Sequence, residues 1–209
     1  MNAITQNAQT QADITPGKAV DLLKEGNIRF VEKKQLNRDL IKQVEETAGG
    51  QYPFAAVVSC IDSRIPTEVV FDQGIGDIFN GRVAGNIVNE DILGSLEFAC
   101  KLAGAKAIVV LGHTSCGAVK GACDDAKLGN LTQMLDKIKP AVEQTHSAEG
   151  EARNSGNIDF VNKVADKNVE LTIENIKSKS TVLNEMVSNG ELTVVGAMYD
   201  VKTGKVTFS

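Results

Sequence analysis

An α/β fold built on a mostly parallel sheet is the class this sequence predicts, and three observations predict it. Phe54 to Ser59 and Ala107 to Leu111 are short apolar runs without polar alternation, the pattern of strands covered on both faces. Strand patterns alternate with helix patterns along the chain, the order that produces strand–helix–strand units. Both apolar runs end abruptly in reactive side chains, Cys60-Ile-Asp62-Ser-Arg64 after the first and Gly112-His113-Thr-Ser-Cys116 after the second. Open parallel sheets place their ligands just past the carboxyl ends of their strands.

The elements follow in order. Met1 to Ile14 is rich in Gln and Asn and poor in apolar residues, so residues 1–15 are expected to form a disordered tail ahead of a single domain over 16–209. Thr15 suits a helix cap with Pro16 in the first turn, and Ala19, Val20, Leu22 and Leu23 supply an apolar side that Gly26 is expected to interrupt. Leu40 to Thr47 reads as a short second helix closed by Gly49-Gly50. These helices precede the first strand, so residues 16–48 are expected to form an arm that packs on a partner subunit. A helical turn opens near Pro66, and Asp77 to Asn86 reads as a strand with glycine breaks.

Asn89 to Gly104 is the clearest helix: Asn89 caps it, Glu90 and Asp91 suit its positive end, and Gly104 stops it. Cys116 to Cys123 and Leu128 to Thr145 are helical by pattern, the latter divided or kinked by Pro140. Val161 to Ile176 and Thr181 to Val187 complete the helices. Leu192 to Tyr199 is another strand, and Lys202-Thr-Gly-Lys205 turns the chain into a last short one, Val206 to Phe208.

Size and charge narrow the function. A chain of 209 residues accommodates one full α/β core, and a net charge of −5 argues against nucleic acid as the partner. No apolar run approaches the roughly 20 residues of a spanning helix, so no membrane partner is expected. The start of the chain has neither the basic nor the apolar part of a secretory signal. Four irregularly spaced cysteines do not make a disulfide framework, which favours a reducing, cytoplasmic setting.

The chain has two histidines, and one of them, His113, stands two residues before Cys116, a spacing at which one metal can take both as the chain turns. With Cys60 at the end of the other strand, two thiolates and one imidazole can converge, a set suited to tetrahedral zinc. Cys100 and Cys123 read as inert small hydrophobes, and His146 lies in a polar stretch without an evident role. Gly74-Ile-Gly76 lacks the rest of a phosphate-binding loop.

Cys60-Ile-Asp62-Ser-Arg64 with His113-Thr-Ser-Cys116 resembles the paired CxDSR and HxxC signatures of the β-class carbonic anhydrases. The flanking Gly26-Asn27-Ile-Arg29-Phe30, Arg82-Val-Ala-Gly85-Asn86 and Gly196-Ala-Met-Tyr199-Asp200 agree with it, over about residues 16–208. The resemblance implies a sheet of about four parallel strands with an antiparallel edge strand, flanked by helices. It implies a homodimer or tetramer whose N-terminal helices embrace a second subunit. It also implies one zinc per chain on Cys60, His113 and Cys116, and reversible hydration of carbon dioxide to bicarbonate and a proton by attack of zinc-bound hydroxide.

In the same resemblance, Asp62 accepts the hydroxide's hydrogen and Arg64 holds Asp62 by its fixed fork of donors. Gln51 matches a position whose amide donates to the substrate across the interface, while Phe79, Ala84 and Phe98 match positions around a small apolar pocket. Asp62 is a possible fourth ligand in a closed state. Relatives that close tend to carry a Trp, an Arg and a Tyr around a second bicarbonate site. Here Arg82 is present but Val57 stands at the Trp position, so an open zinc site is expected. The rival functions are hydrolysis of carbon disulfide or carbonyl sulfide on the same scaffold, and a non-catalytic protein with a structural zinc.

Overall fold

In the computed structural model, which describes residues 5–209, the two apolar runs form the centre of a sheet. β1 (Ala55–Ser59) and β3 (Ala107–His113) are buried at every position. β2 (Ile78–Arg82), β4 (Thr193–Tyr199) and β5 (Val206–Phe208) complete five strands in the order β2-β1-β3-β4-β5. All neighbours run parallel except β4 and β5. The antiparallel edge needs only the Val201–Lys205 turn, whereas parallel neighbours need crossovers through helices.

Side-chain alternation explains why two apolar layers form. Ala55, Val57, Ala107, Val109 and Leu111 face one layer, where Ala19, Val20 and Leu23 of α2 (Pro16–Val31) cover them. Ala56, Val58, Ile108 and Val110 face the other, under α5 (Glu90–Glu97), α9 (Ile158–Lys179) and α10 (Thr181–Ser188). Each fully buried aliphatic side chain of this kind contributes roughly 1.5–3 kcal/mol relative to exposure. A third cluster closes the carboxyl end of the sheet. There Cys60 and Cys116 pack with Ile87, Val119, Leu135, Ile138 and Phe160, contributed in part by α6 (Gly117–Cys123), α7 (Gly129–Asp136), α8 (Lys139–Gln144) and α9.

Several expectations are corrected. Residues 5–15 are not a structureless tail: Asn7 caps α1 (Ala8–Ala12), and the Gln11 amide donates to the carbonyls of Pro53 and Ala103 at 2.8 Å each. Met1 to Ile4 lie outside the described residues. Gly26 does not interrupt α2; it lets the helix approach the short α4 (Thr67–Val70), because a Cβ there would stand 1.8 Å from the Phe71 carbonyl oxygen. The strand expected over Asp77–Asn86 stops at Arg82. The helix from Asn89 widens after Glu97 into a π-turn over Phe98–Leu102, with Ala103 N–H donating to the Phe98 carbonyl. Between Leu128 and Thr145 the helix breaks at Lys137–Ile138, so that Pro140 falls in the first turn of α8, where its missing N–H costs nothing.

Within its own chain the expected arm divides into two parts. α2 packs on its own sheet through Leu23 and Ala19, both fully buried. Beyond it, Arg29 and Arg38 both pair with the buried Asp72 carboxylate, which fixes the chain before α3 (Leu40–Thr47). α3 presents an apolar face to the outside, with Leu40, Ile41 and Val44 more than half exposed, and Ile28 of α2 is more than half exposed as well.

The Gly26 contact makes a direct test. Gly26→Ala should destabilise the protein by at least about 1–3 kcal/mol, the usual cost of overpacking, in chemical denaturation. An unchanged midpoint would show that α2 and α4 do not meet this closely.

Candidate metal centre

Parallel pairing of β1 with β3 sets Ser59 opposite Leu111, so Cys60 leaves β1 beside Gly112, one residue before the end of β3. His113 is the last residue of β3, and Cys116 stands at the N-cap of α6 with an extended backbone. One ligand atom from each of Cys60, His113 and Cys116 lies within 4.8 Å of the others, and all three residues are buried. The two sulfurs are 4.0 Å apart.

The donor set fits a zinc ion. The ring Nδ1 of His113 faces the Thr114 carbonyl at 2.9 Å, and a carbonyl can only accept, so Nδ1 carries the proton. That leaves the Nε2 lone pair free, and Nε2 is buried without a hydrogen-bond partner, a costly arrangement unless a cation takes it. The Cys60 thiol is shifted toward the thiolate, chiefly by its hydrogen bond from Cys116 and also by the Gly85 N–H at 3.4 Å. Cys116 is shifted the other way by the adjacent Cys60 sulfur and by burial. Two buried sulfurs at this distance share a proton readily, and a dication permits both to ionise.

Asp62 and Arg64 stand at the mouth of this cluster. The Asp62 carboxylate accepts from Arg64 Nε at 2.8 Å, from the Arg64 terminal nitrogen at 2.7 Å and from the Arg64 backbone N–H at 3.0 Å. These bonds, led by the guanidinium, hold the Asp62 pKa well below the usual carboxylate range. Asp62 Oδ2 is 3.9 Å from His113 Nε2. Arg82 ties the segment down: its Nε donates to the Cys60 carbonyl at 3.0 Å and its terminal nitrogen to the Asp62 carbonyl at 2.7 Å.

The remaining candidates are distributed. Ala84 adjoins Gly85, whose amide reaches Cys60. Gln51 is exposed in the loop before β1, at the opposite end of that strand from Cys60, about 13 Å or more away at 3.3 Å per residue. Phe79 pairs in register with Ala56 and packs edge-on against Phe98 at 6.2 Å, so both line a cleft beside the free edge of β2. Within one chain, therefore, Gln51 and the two phenylalanines do not meet the sulfur–imidazole cluster. Cys100 and Cys123 lie apart from it, with burial pushing their thiols up to about 12 and about 11. His146 is exposed on the far side of α8.

Two contributors escaped the sequence reading. The Gly85 amide acts through backbone, and only the Ala-Gly-Asn pattern signalled a left-handed turn there, at φ +76°. Arg82 was legible as a functional arginine, but its bonds to two carbonyls depend on a loop geometry that no side-chain pattern encodes.

Fold and site together define an α/β protein with two cysteine sulfurs and one imidazole, a set that could hold a metal ion, at the carboxyl end of a parallel sheet. A family model described as carbonic anhydrase matches residues 55–206. "Carbonic anhydrase 2" of Mycobacterium tuberculosis is 34% identical over 193 residues, covering 91% of both chains. "Carbonic anhydrase" of Mycolicibacterium smegmatis is 32% identical over 197 residues, covering 91% of this chain and 92% of that one. The solved β-carbonic anhydrase CafA of the fungal pathogen Aspergillus fumigatus superposes with a TM-score of 0.70 at 29% identity, over 92% of this chain and 89% of its own. A tetrameric β-carbonic anhydrase of Sordaria macrospora gives 0.70 at 26% identity, over 80% and 89%. The chain belongs to the β-class carbonic anhydrase family and is by that membership a carbonic anhydrase.

The sulfur geometry has a chemical consequence in the metal-free protein. Hydrogen peroxide should oxidise the more thiolate-like Cys60 to a sulfenic acid, which Cys116 then displaces with loss of water to form a disulfide. Thiol titration should show the four free cysteines reduced by that pair in stripped protein and all four retained in zinc-loaded protein. Equal thiol loss with and without zinc would show that the metal does not sit on these sulfurs.

Proposed function

We propose that this chain catalyses zinc-dependent, reversible hydration of carbon dioxide to bicarbonate and a proton. The observation that carries the reading is the convergence of Cys60, His113 and Cys116 beside an ionised Asp62 held by Arg64. A site that only held strand ends together would have no use for that oriented pair. Cys60, His113 and Cys116 would hold one zinc ion per chain, leaving one of the four tetrahedral positions for water. Bound zinc supplies Lewis acidity, which in carbonic anhydrases of another class, with three histidine ligands, brings water to a pKa of about 7.

The chain's own residues do the rest. Two thiolates put more negative charge on the ion than imidazoles would, so a hydrogen-bond acceptor beside it matters more. Asp62 Oδ2, the carboxylate oxygen nearest His113, accepts the O–H of the reacting water and aims its lone pair at the carbon of carbon dioxide. Arg64 keeps that oxygen ionised, so Asp62 orients this O–H without taking its hydrogen, which stays on the bicarbonate formed, while the other proton of the water passes to solvent. Arg82, by holding the Cys60 and Asp62 carbonyls, keeps Asp62 on Arg64 rather than on the metal as a fourth ligand in a closed state.

The active unit in this reading is a homodimer, alone or paired into a tetramer, working in the cytoplasm, with residues 16–209 as one domain. Gln51 of each subunit donates its amide to substrate held by the other, while Phe79, Ala84 and Phe98 wall a dry pocket sized for carbon dioxide. The separation of Gln51 from the cluster in its own chain, and the exposed apolar face of α3, support an active site completed between subunits. No helix among the described residues is long and apolar enough to cross a membrane.

Metal analysis should find about one zinc per chain, and the protein should hydrate carbon dioxide in a stopped-flow assay. Asp62→Asn should keep the zinc and lose at least ~10²-fold in kcat, the scale of positioning and general-base effects. Zinc-free active protein, or an Asp62→Asn variant with normal turnover, would overturn the reading.

Sedimentation tests the assembly. The wild type should sediment as a dimer or tetramer, and Ile41→Glu, which places a charge on the exposed face of α3, should weaken association and lower activity together. An active monomer at micromolar concentration would remove the intersubunit role of Gln51.

A further inference from the structure

Two loops that carry the metal cluster hold left-handed residues. Ser115, between His113 and Cys116, has φ +56°, and Gly85, whose N–H points at Cys60 Sγ, has φ +76°. Ser115 does not rest in this conformation unaided, because its Cβ opposes it. Gly85 adopts a left-handed φ readily, and other conformations as readily, so it keeps one geometry only when held. A Cβ there would also meet Ile138 Cδ1 at 2.5 Å.

In both cases the holder is an asparagine of α9. Asn162 Oδ1 accepts from the Ser115 N–H at 2.9 Å. Asn168 Nδ2 donates to the Gly85 carbonyl at 2.7 Å, and Asn168 is only 2% exposed. Asn168 lies in the buried stripe of α9 with Val164, Ala165, Val169 and Thr172, where an apolar residue would serve packing better. A buried amide in that stripe has a use only if its hydrogen bonds do. The helix is itself anchored to β3 and β4 by packing and supplies one acceptor to the β3–α6 loop and one donor to the β2–α5 loop.

We propose that Asn162 and Asn168 are positioning residues of the metal centre. Asn162 holds the turn that swings Cys116 back toward His113, and Asn168 holds the Gly85 carbonyl, fixing the residue whose N–H points at Cys60 Sγ. Neither touches a ligand side chain; Asn162 acts through the Ser115 amide, and Asn168 acts across the Gly85 Cα, from its carbonyl to its N–H. Their effect is therefore on how firmly the three ligands grip a metal, beyond any effect on whether the chain folds.

The inference rests on the zinc reading above and is tested on the zinc-loaded protein by its rate of metal release to a chromogenic chelator, without reference to turnover. Asn162→Ala and Asn168→Ala should release zinc about 10–100-fold faster than wild type, the range for residues that orient metal ligands. Asn162→Asp, which keeps an acceptor oxygen for the Ser115 N–H, should release at close to the wild-type rate. Ile176→Ala, a cavity on the same helix under the sheet and away from both loops, serves as a control for lowered Tm. Release that is unchanged in both alanine variants would overturn the proposal, as would equally fast release from the Ile176 variant at matched Tm. Should Asn168→Ala fail to fold, the contrast between Asn162→Ala and Asn162→Asp decides the matter alone. Wild-type protein that purifies with no zinc would defeat the zinc reading and this inference together, whereas normal zinc content with unaltered release defeats this inference only.

Discussion

The parallel hydrogen-bond ladder between β1 and β3 is the constraint on which the rest of the structure depends. Because both strands run the same way and are in register, their chemistry-bearing carboxyl ends come out abreast. Cys60 is 53 positions from His113 in sequence but emerges one residue from its level in the sheet. A register slip of one residue would turn Val57 and Val109 from the α2 layer to the opposite one. Burial of both faces therefore fixes the metal geometry as firmly as it fixes the core.

Around that point, the protein balances charge with few groups. Two buried sulfurs and a carboxylate are concentrated at the sheet end, against one guanidinium on Asp62 and another on the adjoining carbonyls. Arg64 keeps Asp62 an acceptor to well below the usual carboxylate range, because its pairing is lost only as pH falls through a depressed pKa. In the proposed reading a dication would offset the two sulfurs, and the unpartnered Nε2 of His113 is the third atom that would hold it.

Most of this was legible in the sequence, for physical reasons that differ by element. Strands covered on both faces are continuous apolar runs, so β1 and β3 were plain. Asn89 and Thr15 announced helix starts because caps are local chemistry. Cys60, His113 and Cys116 stood out because thiols and imidazoles are scarce here. What stayed hidden was set by tertiary contact. Gly26 reads as a helix breaker until Phe71 stands against it. Residues 5–15 read as loose until Gln11 finds two carbonyls that other segments leave open. The edge position of Phe79 and Phe98 depends on a π-turn that no propensity indicates. Gln51 lies at the opposite end of β1 from Cys60, a separation that follows from strand length alone.

The π-turn over Phe98–Leu102 has a consequence of another kind. One extra residue is lodged in that turn, so the chain leaves it about 100° out of step with an uninterrupted α-helix. Phe98, which opens the turn, leans outward onto Phe79, while Ala99 and Cys100 within it stay inside the core. The helix therefore carries a count as well as a composition. Removing a single residue between Phe98 and Leu102 would put the aromatic ring and the buried thiol out of phase with their surroundings, even with every remaining side chain unchanged. Chain length at this point is as much a part of the cleft as the rings that line it.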